Sequence, residues 1–369
     1  MLLGRLLPLL LGAALVLTGC GQRGQIVTDP AAATVAKQER IIVATDRAWI
    51  GPTQFFGSQR ATSTNYALFE VSVPPKRKVG TIKYPNPQYP NPQTQFMVSS
   101  SERLGSEAEF VAAINDDLQR KKVKAASMFI HGFNTDFAEG LYREAQLIHD
   151  VGSITVPVHY SWPSLAKADG YLGDLDNVLY SRPFLQRTIE TMARSDADSL
   201  YLVAHSMGTF LLVDTLRTMA MTEPDSVFSK IAGVVLISAD IDVGIFKEIA
   251  PLITGRGVPI FLLISDRDKA LAISAKLRGQ RDRLGSIRST AELGNLNRVY
   301  VINATDLKGG GALDHFSEAE SPALLDYLHR MDAAGIAGLD QLASNSLQGG
   351  VELAQAGARL ILSPLTGAP

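Results

Sequence analysis

The feature that most restricts the fold of this chain is an alternation that begins at Ser106. Ala126–Ile130, Val156–Tyr160, Leu200–Val203, Ile231–Ile237, Pro259–Ile264 and Arg298–Ile302 are short, almost wholly apolar runs. Helix-patterned stretches separate them. In 107–122, Phe110, Ile114 and Leu118 recur every fourth residue behind Ser106 at the N-cap position. Further helices are predicted over 137–150, 184–193 and 209–219, and a closing one over 322–330. Runs without a polar face must be covered on both sides, so the strands belong to a mostly parallel sheet with helices on both faces. The predicted fold class is α/β, and in such sheets function gathers at the carboxyl ends of the strands.

Upstream of this pattern, Ile41–Thr45 and Phe69–Val73 read as strands, the second stopped by Pro74-Pro75. Tyr84-Pro85-Asn86-Pro87-Gln88 is repeated at once over 89–93. Four prolines there forbid helix and central strand, which leaves a stiff surface connector or a binding motif. The chain divides into a leader over 1–20, a Gly-, Ala- and Thr-rich tether over 21–40 with a short ordered arm as the alternative, a β-rich extension over 41–105, the α/β domain over 106–332, and a low-complexity tail over 333–369. The count of 35 Lys and Arg against 37 Asp and Glu offers no basic footprint for nucleic acid.

Cysteine is the informative count. The single one, Cys20, allows no intramolecular disulfide and no multi-thiolate metal site. It closes an apolar stretch, Leu6–Leu17, of about 12 residues, where a spanning helix needs roughly 20. The stretch reads as a secretory signal. Leu17-Thr18-Gly19-Cys20 resembles the lipobox of bacterial lipoproteins. That resemblance implies cleavage before Cys20, a multiply acylated Cys20 as membrane anchor, and, with Gly21 following, the periplasmic face of the outer membrane. A plain signal peptide is the alternative.

The chemistry points to Leu200–Gly208. An apolar strand runs directly into Ala204-His205-Ser206-Met207-Gly208, and a helix begins at once. This is the pattern of a nucleophile elbow, in which a sharp turn lifts the serine hydroxyl above the sheet. Ala204 is small enough to stand where glycine is usual, and Gly208 is expected to let the helix pack closely on the sheet. The bland alternative makes Ser206 a helix N-cap only. A serine nucleophile needs a base. Of the six histidines, His205 adjoins the serine and points away, and His149 and His329 lie in helices. His131 belongs to a strand-end loop and His159 to a strand. His315, in the loop after the last strand, fits the chain order of serine, acid, histidine. The acid is expected after the strand ending at Ile264. Asp268 is the choice, with Asp266 and, after the preceding strand, Asp240 as alternatives.

Ile130-His131-Gly132-Phe133-Asn134 ends another strand and is the expected source of one oxyanion N–H, from Phe133, with Met207 supplying the other. His131 is expected to hold this loop and Asn134 to cap the next helix. Ser161-Trp162-Pro163-Ser164 and residues 171–180 are expected at the pocket rim, with Trp162 either lining it or packing beneath it.

Taken in order, His131-Gly132-Phe133-Asn134, Ser161-Trp162-Pro163-Ser164, Ala204–Gly208, Ser265-Asp266-Arg267-Asp268-Lys269-Ala270-Leu271 and Asp314-His315-Phe316 resemble the bacterial α/β-hydrolase family called domain of unknown function 900. Ala44-Thr45-Asp46-Arg47 and Val71-Ser72-Val73-Pro74 look like its N-terminal extension. The resemblance, over about 41–330, implies an α/β-hydrolase fold and an esterase- or lipase-like activity. The expected reaction is hydrolysis of a small-molecule or lipid ester through an acyl-Ser206 intermediate, without metal or organic cofactor. The alternatives are another acyl transfer (thioesterase, amidase, acyltransferase) and a non-catalytic envelope lipoprotein that uses the fold as a binding scaffold.

Overall fold

The computed structural model describes residues 23–152, 155–279 and 281–305, together with a two-residue strand, Ser363–Pro364. Cys20, His315, the helix expected over 322–330 and most of the tail lie outside the described residues.

Among the described residues, nine strands and the two-residue strand Ser363–Pro364 form one sheet: β1 Lys37–Gly51, β2 Phe55–Val73, β3 Met97–Leu104, β4 Ala125–Ile130, β5 Val156–Ser161, β6 Ser199–His205, β7 Ile231–Ile237, β8 Ile260–Ile264 and β9 Val299–Asn303. Their order is β9-β8-β7-β6-β4-β5-β1-β2-β3, with Ser363–Pro364 antiparallel outside β9. From β9 across to β1 every pairing is parallel, and β2 and β3 add antiparallel strands at the far side. The α/β expectation holds. β4 and β5 are buried almost throughout, as their apolar runs require.

The helices are α1 Glu107–Lys121, α2 Phe137–Val151, α3 Tyr171–Ala193, α4 Met207–Thr222, α5 Asp225–Phe228, α6 Val243–Thr254 and α7 Lys269–Leu277. Successive side chains of a strand point to opposite faces, and β1 shows this directly. Ile42 and Ala44 enter the core built with α1, α3, α4 and α6, whereas Ile41 and Val43 enter a second core built with α2. The chain passes from β4 through α2 to β5 on one side, then through α3 back to β6 on the other. The carboxyl ends of β4 and β6 therefore flank the point where the strand order reverses, where a parallel sheet opens a crevice.

Several expectations need correction. The stretch 21–40 is not a tether from Arg23 onward. Val27 and Asp29 bond to Val98 of β3, Pro30–Thr34 forms a 3₁₀ turn that buries Ala32, and β1 begins at Lys37. Small side chains suit an arm lying flat on a sheet, so its composition looked like a linker. Within the β-rich extension over 41–105, β1 continues the central sheet beside β5. β3 was not expected, since its outer half is the exposed Ser100–Arg103 of an edge strand. α3 starts at Tyr171, and not after Pro183, which the helix accommodates in its interior.

Candidate active site

Ser206 joins β6 to α4 with φ 52° and ψ −125°. For a residue with a Cβ this backbone costs on the order of 1–3 kcal/mol and must be held by its surroundings. The Ser206 N–H donates to Ile237 O at 2.9 Å. Its carbonyl accepts from Thr209 N–H at 3.0 Å, Thr209 Oγ1 at 2.6 Å and Asp240 N–H at 3.3 Å. Although Ser206 occupies the N-cap position of α4, its side chain makes no capping bond, against the bland reading. Gly208 is sterically required. A Cβ there would lie 2.3 Å from His131 O and 2.8 Å from Ile130 O, so only glycine lets α4 ride on the end of β4.

Gly132 brings the loop after β4 against the nucleophile. A Cβ at this position would stand 2.8 Å from both Ser206 Cβ and His205 Nδ1. The next residue, Phe133, lines the same cleft as Ser206. Among the described residues, no backbone carbonyl accepts from the N–H of Phe133 or Met207. Met207 N–H is one of the unsatisfied donors at the positive end of α4. Asn134 does not cap α2. Asp136 does, reciprocally with Glu139, while Asn134 takes a left-handed turn at φ 55° and accepts from Arg23.

A fully buried arginine from the N-terminal strand braces this loop. Arg47 donates through Nη2 to Thr135 O at 2.8 Å, through Nη1 to Ser164 O at 3.2 Å and Gly57 O at 3.1 Å, and through Nε to Ser161 Oγ at 2.9 Å. Burial lowers its pKa to about 10, so it stays charged at neutral pH. His131 sits beside it, with Nδ1 2.9 Å from Gly132 O and Nε2 3.1 Å from Trp162 O. Burial first, then the charge of Arg47, holds His131 well below the usual imidazole range. A neutral His131 supports the loop, as expected. Trp162 is buried, stacks on His131 at 5.1 Å and donates to His131 O at 2.7 Å. Its role is packing. The local sequence assigns Arg47 no role. The signal in the sequence is the charged pair Asp46-Arg47 directly after the apolar run Ile41–Thr45.

The three candidate acids differ in their surroundings. Asp266 is exposed. Asp268 is buried and caps α7, accepting from Leu271 N–H at 3.0 Å. Asp240 is buried, and both its oxygens are engaged: Oδ1 accepts from Ser274 Oγ at 2.5 Å and Oδ2 from Tyr171 Oη at 2.7 Å. The buried Arg283 adds its charge 3.6 Å from Oδ1. Ser206 opens on a cleft of about 460 Å³ that Phe133, Tyr171 and Asp240 also line. Ala270, Leu271, Ile273 and Leu277 form one part of its wall, and Arg23, Glu139 and Arg143 another. The volume falls within the range of small-molecule sites. Among the described residues, no cluster of His, Cys, Asp or Glu would hold a metal ion.

A serine at a left-handed strand-to-helix corner, above a mostly parallel sheet flanked by helices, defines the α/β-hydrolase class. Within it, the chain belongs to the family described as alpha/beta hydrolase of unknown function (DUF900), whose model matches residues 106–331. The strands β1–β3, and with them Arg47, lie outside the matched span. Among solved structures, the crystal structure of Aspergillus fumigatus lipase B is similar at 14% identity and a TM-score of 0.32, over 64% of this chain and 67% of that one. No curated protein matches the sequence.

Proposed function

We propose that the protein is a serine hydrolase of carboxylic esters, with Ser206 as nucleophile, His315 as base and Asp268 as the acid that orients it. The observation that carries the reading is the held left-handed backbone of Ser206 at the head of α4, against the Gly132 loop and open to the cleft. Ser206 Oγ attacks the ester carbonyl carbon and gives its proton to His315. The N–H groups of Phe133 and Met207 receive the oxyanion. The C–O bond then breaks, the alcohol leaves with that proton, and water repeats the sequence on the acyl-Ser206.

Topology supports His315. β6, β8 and β9 are parallel, so the loops that leave them rise from one edge of the sheet. Three strand spacings separate β6 from β9, about 14 Å. The segment from Asn303 to His315 spans at most about 40 Å when extended, a length that permits the proposed pairing with Ser206. For the acid, Asp268 is favoured because it is buried beside the end of β8, while Asp266 is exposed and Asp240 is already engaged by two hydroxyls. We further propose that Leu17-Thr18-Gly19-Cys20 directs acylation of Cys20 and anchorage at the periplasmic face of the outer membrane.

A fluorophosphonate probe and a panel of p-nitrophenyl esters test the reading. Labelling and turnover are expected in the native chain and are lost in Ser206→Ala and His315→Ala. Asp268→Asn should lower kcat by about 10⁴, the cost of the wrong histidine tautomer in another serine hydrolase, and Asp266→Asn by less than about threefold. A folded protein that is neither labelled nor active would point to the scaffold alternative.

A further inference from the structure

The cleft is not uniform, and strand order assigns its parts to sides. Ser206 follows β6; α7 follows β8, two strands to one side, and the loop bearing Asn134, with Glu139 and Arg143 beyond it, follows β4 on the other. The β4 side carries the charges of Glu139 and Arg143, whereas α7 after β8 lines the cleft with Ser274 and otherwise aliphatic side chains. Ala270, Ile273 and Leu277 recur at helical intervals along α7 and all line the cleft. Ile273 is 50% exposed and Leu277 57% exposed. Two large aliphatic side chains at the mouth of a cleft that holds a nucleophile are surface kept from water only when something apolar lies on them.

The same helix is pinned in place by groups that the proposed triad does not use. Ser274, one residue beyond Ile273, donates to Asp240 Oδ1, and Tyr171 at the start of α3 donates to Asp240 Oδ2. The two hydroxyl oxygens are themselves 2.7 Å apart. Asp240 N–H reaches the carbonyl of Ser206 at 3.3 Å, and the Tyr171 ring meets that of Phe133 edge-on at 5.3 Å. Asp240 thus ties α7 and α3 to both the nucleophile residue and the oxyanion loop.

We propose that the Ala270–Ile273–Leu277 stripe is the subsite for an unbranched hydrocarbon chain attached to the scissile ester, and that Asp240 is the positioning residue that sets this wall relative to Ser206. The inference rests on the hydrolase reading above. From Ala270 to Leu277 the stripe runs about 10 Å at 1.5 Å per residue, about the length of an extended octanoyl chain. Each methylene that reaches the wall is worth up to about fourfold in kcat/KM, so preference should climb from acetyl through butyryl to octanoyl.

The test measures kcat/KM on the full chain for p-nitrophenyl acetate, butyrate and octanoate, beside a second series of acetate esters of ethanol, butanol and octanol. A rise with length in the first series assigns the chain to the acyl group, and in the second to the alcohol. Either supports the subsite, and flat profiles in both overturn it. Ile273→Ser and Leu277→Ser, at half-exposed positions that do not carry the core, should lower the ratio of the eight-carbon to the shortest ester at least tenfold in whichever series rises with length. Leu277→Trp should move the optimum to a shorter chain. Ratios unchanged in all three variants overturn the assignment of the wall. Asp240→Asn should cost more on the eight-carbon ester of that series than on its shortest member. Equal losses of about 10⁴ on both would instead make Asp240 the triad acid and overturn its positioning role. Failure of the underlying reading looks different: no ester is turned over and the fluorophosphonate does not label Ser206.

Discussion

Replacing Gly132 by alanine would test the oxyanion loop with one carbon atom. The backbone there is outside the left-handed region, so alanine introduces a contact and no torsional penalty. Its Cβ would lie 2.8 Å from Ser206 Cβ, where ordinary contact begins at 3.4 Å. The loop and the nucleophile must then part by roughly 0.6 Å (3.4 minus 2.8). Donors work when they stand about 2.7–3.1 Å from the developing oxyanion. A shift of this size takes the Phe133 N–H to the limit of a hydrogen bond. Complete loss of one donor costs about 10²–10³ in kcat, and misplacement by an ångström about 10². The expected fall in kcat is therefore about 10²-fold. KM should change by less than about threefold, because the ground-state carbonyl gains little from this donor. Overpacking should cost about 1–3 kcal/mol of stability, so activity is measured well below the denaturation midpoint. The assay is steady-state turnover of the best p-nitrophenyl ester, with urea unfolding as the control. A folded Gly132→Ala protein with kcat within threefold of the native value would refute the placement of the oxyanion donor on this loop.

Arg47→Met should orphan the acceptors at Thr135, Ser164 and Gly57 and destabilise the protein by about 3–5 kcal/mol in urea unfolding. Arg47→Lys should recover the charge but not the planar fork, and so only part of that loss; a lysine variant as stable as the native chain would contradict the bracing role. His159 supplies a pH test. It is buried, neither ring nitrogen has a hydrogen-bond partner among the described residues, and burial lowers its pKa to about 3. Between the unfolded value of about 6.5 and that folded value, the unfolded chain holds the extra proton, so stability falls with pH by about 1.4 kcal/mol per unit. His159→Leu removes this loss. Its stability relative to the native chain should rise by about 2 kcal/mol from pH 6.5 to 5. Asp46, which burial raises to about 6, acts in the opposite sense in both proteins and cancels. A stability difference independent of pH would show that His159 is not buried in the neutral form.

Legibility followed the range of the interactions. The strands β4 to β9 and the corner at Ser206 were readable because each depends on a few consecutive residues: an apolar run, then Ser206-Met207-Gly208. The elements that were misread had weak local signals. β3 looks polar because an edge strand buries only part of itself, and α3 looked shorter because proline usually marks a boundary.

The amino-acid order alone determined the parallel architecture, the candidate nucleophile and the need for glycine at 208, since periodicity and turn chemistry are local properties of the chain. Tertiary structure alone decided which buried polar groups meet. Asp240 faces Tyr171 and Ser274 rather than solvent, and Arg47 braces a loop 88 residues away at Thr135. Hydrophobic pattern states which face of an element turns inward but not which partner waits there. A buried charge or hydroxyl is satisfied by whatever the completed packing brings within about 3 Å of it.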